Sequence, residues 1–168
     1  MSVSAPPARS SVSEIGAKQF RQALSQFATG VTVITGCLAE GGYFGETIHC
    51  FNAVSLKPPL LLWSLPHTAS SMPAFAAASS YVINVLAGDQ IELAQRFSLP
   101  TADRFDKLAF ALSERGSPVL AGTVASFECR HRSRYVEGDH MIFVGEVERC
   151  HSHPQRTLGF HRGRFIAL

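Results

Sequence analysis

Between Gly45 and Leu65 the chain reads GETIHCFNAVSLKPPLLLWSL, two stretches of strand-favouring residues that meet at a proline pair. Pro58-Pro59 removes two backbone donors and biases Lys57 toward an extended conformation, so the pair reads as a fixed corner between strands. The first stretch sets Thr47, Asn52 and Ser55 among Ile48, Phe51, Ala53 and Val54, whereas Leu60 to Leu65 is almost continuously apolar. Polar residues between segments that favour burial suit the wall of a barrel turned toward a planar ligand. An ordinary sheet corner with incidental hydroxyls is the alternative that these residues leave open.

The rest of the chain is dominated by strands. Ser13 as a cap, followed by Glu14, Ile15, Phe20, Leu24 and Phe27, predicts one amphipathic helix that ends near Gly30. Val31 to Thr35 is predicted as a strand, with a hairpin turn at 39–42. Pro66 to Ser71 reads as a polar loop, Met72 to Ser79 as a short helix and Tyr81 to Leu86 as a strand. Asp89 is the expected cap of a helix over Gln90 to Phe97, and Pro100 to Leu108 is irregular. Val124 to Val136 and Met141 to Cys150 form a long hairpin across Glu137-Gly138-Asp139, and Arg164 to Leu168 is expected to close the sheet. Turns join these strands, and no βαβ rhythm or GxGxxG appears. The expected fold is therefore mainly β with peripheral helices, an antiparallel, Greek-key-like barrel.

With 168 residues the chain suits one domain, expected over 14–168 after a flexible tail at 1–13. A formal charge of +2 argues against nucleic acid as the principal partner, and no apolar run reaches transmembrane length. Arg130, Arg132 and Arg134 alternate as the outward face of a strand does, a reading preferred over an anion-binding strip. Cys37, Cys50, Cys129 and Cys150 lack CxxC spacing, which favours a reducing cytoplasm over a disulfide framework or zinc cage. His151 and His153 read as surface residues beyond a strand end, with no metal expected.

Four strings in this order, FRQALSQFATGVTVITG, GETIHCFNAVSLKPPLLLWSL, YVINVLAGDQIELAQRFS and GDHMIFVGEVE, resemble the short-chain flavin reductase family over about residues 18 to 168. The resemblance implies an FMN-binding split β-barrel, in a homodimer, that uses NADH or NADPH to reduce FMN or FAD. It also implies a two-component system in which a partner monooxygenase receives the reduced flavin. A split-barrel flavoprotein with tightly held FMN acting on an organic substrate, and a non-catalytic flavin-binding module, are the alternative readings.

By this resemblance Thr47, Ile48, His49, Cys50, Phe51 and Ala53 lie on the strand that lines the isoalloxazine, much of it through backbone groups. Asn, Ser and Ser are more usual in the family at positions 49, 50 and 53, and a neutral residue at 46, so His49, Cys50, Ala53 and Glu46 are departures. Ser64, His67, Thr68, Ser70 and Ser71 match the segment that holds the flavin phosphate; simple helix capping is the other reading of Ser71. Gly138-Asp139-His140 matches a motif whose histidine lies beside the nicotinamide, and His140 is assigned to binding and positioning. Hydride transfer between stacked rings needs orientation more than acid-base help, so no catalytic side chain is expected. Phe160-His161-Arg162-Gly163 resembles the family's ending, near either the flavin or the dimer seam.

Overall fold

The computed structural model describes residues 16–101 and 103–168; the expected tail over 1–13 and the Ser13 cap lie outside them. The elements are α1 (Ala17–Leu24), β1 (Thr29–Gly30), β2 (Thr32–Cys37), β3 (Tyr43–Ile48), β4 (Asn52–Leu56), β5 (Pro59–Pro66), α2 (Met72–Ala77) and β6 (Ser80–Val85). They continue with α3 (Ile91–Ser98), β7 (Phe110–Leu112), β8 (Pro118–Leu120), β9 (Ala125–Glu137), β10 (His140–Ser152), β11 (Leu158–His161) and β12 (Arg164–Ala167). The fold is mainly β with peripheral helices. Seven strands pair in the order β3-β2-β6-β9-β10-β5-β4, β1-β11-β12 form a second sheet, β7-β8 a third, and every pairing is antiparallel.

Successive side chains of a strand point to opposite faces, and on β2 both faces are buried. Val33 joins Val31, Leu86, Phe97 and Leu158 on one side, while Ile34 joins Trp63, Phe75, Tyr81 and Phe143 on the other. That explains the unbroken β-branched run, since neither face meets water. In the larger cluster Trp63 stacks on Phe143 with centroids 4.3 Å apart, and Phe75 meets Trp63 edge-on at 4.8 Å. Such pairs add roughly 0.5–1.5 kcal/mol beyond the area they bury. The buried Asn84 side chain donates to the Val33 carbonyl at 3.0 Å and accepts from the Leu120 amide at 2.9 Å, tying β6 to β2 and β8.

Four local expectations change. The stretch read as one strand through Thr47 to Val54 is split: β3 ends at Ile48, β4 begins at Asn52, and His49-Cys50-Phe51 turn between them. Arg164 to Leu168 does not close the large sheet; β12 pairs with β11 in the separate three-stranded sheet. Asp89 is not the cap of α3, because Gln90 holds that position and its side chain accepts from the Ala87 amide and donates to the Ala121 carbonyl, both at 2.9 Å. Helix α1 ends at Leu24, well before Gly30, and buries none of its residues. The proline pair does form a corner, with a cis Lys57–Pro58 bond leading into β5.

Candidate functional site

The turn between β3 and β4 is held from three directions. Thr32 Oγ1 donates to the Ile48 carbonyl at 3.0 Å, and Thr47 Oγ1 donates to the Ala94 carbonyl of α3 at 2.7 Å. Cys50 Sγ lies 3.1 Å from Ser64 Oγ and accepts from the Ser64 amide at 3.2 Å, lacing the turn to β5. Among the described residues the amides of His49, Cys50 and Phe51 make no backbone hydrogen bond. Ile48 packs in the core, and Ala53 is exposed on β4. The Thr47 hydroxyl is thus committed to α3, which leaves the backbone as this turn's main polar resource.

His49 stacks on Phe160 of β11 with centroids 4.5 Å apart and planes 23° from parallel. Burial pushes its pKa below the ordinary imidazole value, and among the described residues its buried Nδ1 has no hydrogen-bond partner. An open groove of about 730 Å³ runs past this turn, lined by Leu24, Phe27, His49, Phe51, Leu62 and Phe160 among others. Arg162 and Gly163 lie at the same groove, in the β11–β12 turn, with φ of +49° and +77°. Arg162 donates through its amide to the Ser25 carbonyl at 3.2 Å and through Nε to Gln26 Oε1 at 3.0 Å, so this turn is fastened to the end of α1. An apolar groove with free amides on one wall suits a flat aromatic ligand with a polar edge.

Leu62, Ser64 and Pro66 share one face of β5, which carries the groove wall to the polar loop about 13 Å away, at ~3.3 Å per residue. There His140 pairs with Pro66 across β5–β10, and the His67 amide donates to the Asp139 carbonyl at 3.0 Å. The expected phosphate loop and the Gly138-Asp139-His140 turn are therefore neighbours, although 71 and 138 are far apart in sequence. His140 Nδ1 is 2.6 Å from Asp139 Oδ1, a contact that turns Nε2 away from the carboxylate. The hydrogen bond and charge of His140, in that order, hold the Asp139 carboxyl below its ordinary value.

Within the loop, His67, Thr68 and Ser70 are exposed and Ser64 is half-buried. Ser71 is buried and precedes α2, yet its hydroxyl makes no cap; it donates to Glu46 Oε2 at 2.7 Å. Glu46 in turn meets Arg104 Nη1 at 3.4 Å, and the same guanidinium donates to the Gly45 carbonyl. Arg104 is missing from the sequence-predicted set. The one signal for it is a lone basic residue at Asp103-Arg104-Phe105 in an irregular segment, and nothing there tells that it is buried opposite Glu46. The arginines at 130 and 132 both reach Glu146 at 3.0 Å, and Arg134 donates to the Ala76 carbonyl, so this strand face is engaged with the protein's own acceptors.

The chain is similar to known proteins over most of its length. The chain is 43% identical over 148 residues to the NADH-dependent FMN reductase of Agrobacterium fabrum, covering 88% of this chain and 84% of that one. It is 40% identical over 149 residues to the reductase component of the flavin-dependent trigonelline monooxygenase of Acinetobacter baylyi, covering 89% of this chain but 48% of that one, about half its length. Among solved structures, the NADH:FAD oxidoreductase of Streptomyces globisporus, in complex with NAD and FAD fragments, superposes with a TM-score of 0.85 at 35% identity, covering 90% of this chain and 92% of that one. The flavin reductase like domain model matches residues 24–168, and on that match the chain belongs to the flavin reductase-like family.

Proposed function

We propose that the groove, the 64–71 loop and His140 form one site in which reduced nicotinamide meets a flavin. The chain is an NAD(P)H:flavin oxidoreductase, using NADH or NADPH to reduce FMN or FAD and supplying reduced flavin to a partner monooxygenase. The single observation that carries the site is the run of Leu62, Ser64 and Pro66 along one face of β5, which links the groove wall to the hydroxyl loop and to His140.

The residues fit such a ligand. Phe51, Leu62 and Phe160 offer apolar walls to a flat ring, the free amides of His49, Cys50 and Phe51 face its polar edge, and the buried Nδ1 of His49 awaits a partner. Thr47, Ile48 and Ala53 contribute backbone and shape. Ser64, His67, Thr68, Ser70 and the amide of Ser71 hold the phosphate end. Asp139 orients His140, whose Nε2 positions the nicotinamide. When bound, flavin supplies the hydride-accepting chemistry; the protein brings the two rings into register and keeps water from between them.

The seven-stranded sheet, closed as a split β-barrel, is the proposed scaffold for this site, in a single domain over 14–168. A homodimer is proposed because Phe20, Leu24 and Phe27 are 55%, 56% and 75% exposed and the edge residues Val54 and Leu56 are 51% and 87% exposed, leaving apolar surface for a second copy. No described helix is long and apolar enough to cross a membrane. Four free cysteines suit the proposed cytoplasmic location.

The direct test is NADH and NADPH oxidation followed at 340 nm with FMN and with FAD. Flavin-dependent turnover is expected; its absence in all four combinations overturns the reading.

A further inference from the structure

We infer that Glu46 sets how strongly this chain distinguishes a phosphorylated flavin from an unphosphorylated one, by withholding the Ser71 hydroxyl from the phosphate. The inference rests on the reading of the 64–71 loop as the phosphate-holding segment, and it concerns a donor inside that loop.

A serine hydroxyl has one proton to give. In Ser71 it goes to the carboxylate of Glu46, with Oγ and Oε2 2.7 Å apart and the serine only 7% exposed. The oxygen then has only lone pairs left to offer another group, and lone pairs repel a phosphate. Arg104 keeps the arrangement in place. Its guanidinium, with 10% of the side chain exposed, bridges Glu46 and the Gly45 carbonyl, so the carboxylate is held in register with Ser71. The Ser71–Glu46 bond is charge-assisted and preformed, so redirecting that proton to a phosphate means giving up a bond roughly twice as strong as one to a neutral partner. Thr68 and Ser70, exposed and free of hydrogen bonds to other described side chains or backbone, are left as the loop's uncommitted hydroxyl donors to a phosphate, the Ser64 hydroxyl lying 3.1 Å from Cys50 Sγ. A chain built this way holds the phosphate with one donor fewer, which favours release of flavin to another protein.

The experiment measures dissociation constants for FMN and riboflavin by quenching of flavin fluorescence, in the full chain, and reads the ratio of the two. Riboflavin lacks only the phosphate, so the ratio isolates that end of the ligand. In the native chain Ser71→Ala is expected to shift the ratio by less than twofold. Replacing the ion pair together, Glu46→Met with Arg104→Met, removes the acceptor without leaving a lone buried charge, and is expected to raise the preference for FMN roughly tenfold. Adding Ser71→Ala to that pair should cancel the gain. Glu46→Gln, which keeps an oxygen for Arg104, provides a second and gentler background, with a smaller gain in the same direction. A fivefold or larger loss of preference from Ser71→Ala alone, or an unchanged ratio in the two Glu46 backgrounds, overturns the inference while leaving the loop in place. If Thr68→Ala with Ser70→Ala also leaves the ratio untouched, the phosphate reading of the loop fails and this inference with it.

Discussion

His140 and Asp139 divide their work by exposure. The imidazole is half-buried opposite Pro66 in the strand register and the carboxylate stands in solvent, so the carboxylate can orient the ring without competing for its place. His140→Ala is expected to raise the Michaelis constant for NADH about tenfold, the upper scale of one hydrogen bond, while the dissociation constant for FMN stays within about twofold. Steady-state rates and flavin titration check the two halves separately. The hydrogen bond from His140 also depresses the Asp139 carboxyl. A depressed carboxylate favours the folded turn above its unfolded pKa and loses that contribution as pH falls through the folded value. NMR titration of Asp139 should therefore give a midpoint below 3.8, returning toward 3.8 in His140→Ala. Elsewhere in the core a single methyl matters: a Cβ on Gly145 would sit 2.4 Å from the buried Tyr81 hydroxyl and 3.0 Å from Cys129 Cβ. Gly145→Ala should cost about 1–3 kcal/mol, seen as a lower urea midpoint.

Among the elements, β5 carries most of the site, and its character was legible in the sequence because continuous apolar residues bounded by prolines have few other ways to be buried. The turn at 49–51 was not. Its residues have strand propensity, and what stops the strand is the bond from Thr32 to the Ile48 carbonyl and the anchoring of Thr47 on α3, both made by segments distant in the chain. The clamp of Glu46 on β3, Ser71 before α2 and Arg104 in the 99–108 segment is likewise a product of packing. Arg104→Met strands Glu46 without its cation and is expected to cost about 3 kcal/mol, most of it recovered when Glu46→Met is added. Chemical denaturation of the two single variants and the double variant reads that coupling. At the other wall of the groove, Phe160 and Arg162 join the site because β11 pairs with β1 and β12 with β11, rather than extending the large sheet. The aromatic-His-Arg-Gly string hinted at this position without choosing between groove and subunit seam.

For the whole molecule, two measurements follow from what is covered and what is not. Light scattering should give twice the 18.2 kDa of the chain, and charges placed at Phe20, Leu24 and Phe27 should shift it to one copy. A thiol reagent should label the exposed Cys50 and Cys150 first and Cys37 more slowly. Cys129, whose thiol burial pushes up to about 12, should react only on unfolding, and saturating FMN should protect Cys50. By itself the sequence determined the mainly β class, the proline corner, the long hairpin and the family, because propensity, turn chemistry and ordered motifs are local properties that survive without a fold. Only the tertiary structure decided which polar atoms remain available. The Ser71 proton is already given to Glu46, Thr47 is tied to Ala94, His140 meets Pro66, and Arg104 lies buried beside β3. Hydrogen bonds are made between atoms brought within about 3 Å of each other, and a sequence lists donors and acceptors without saying which of them meet.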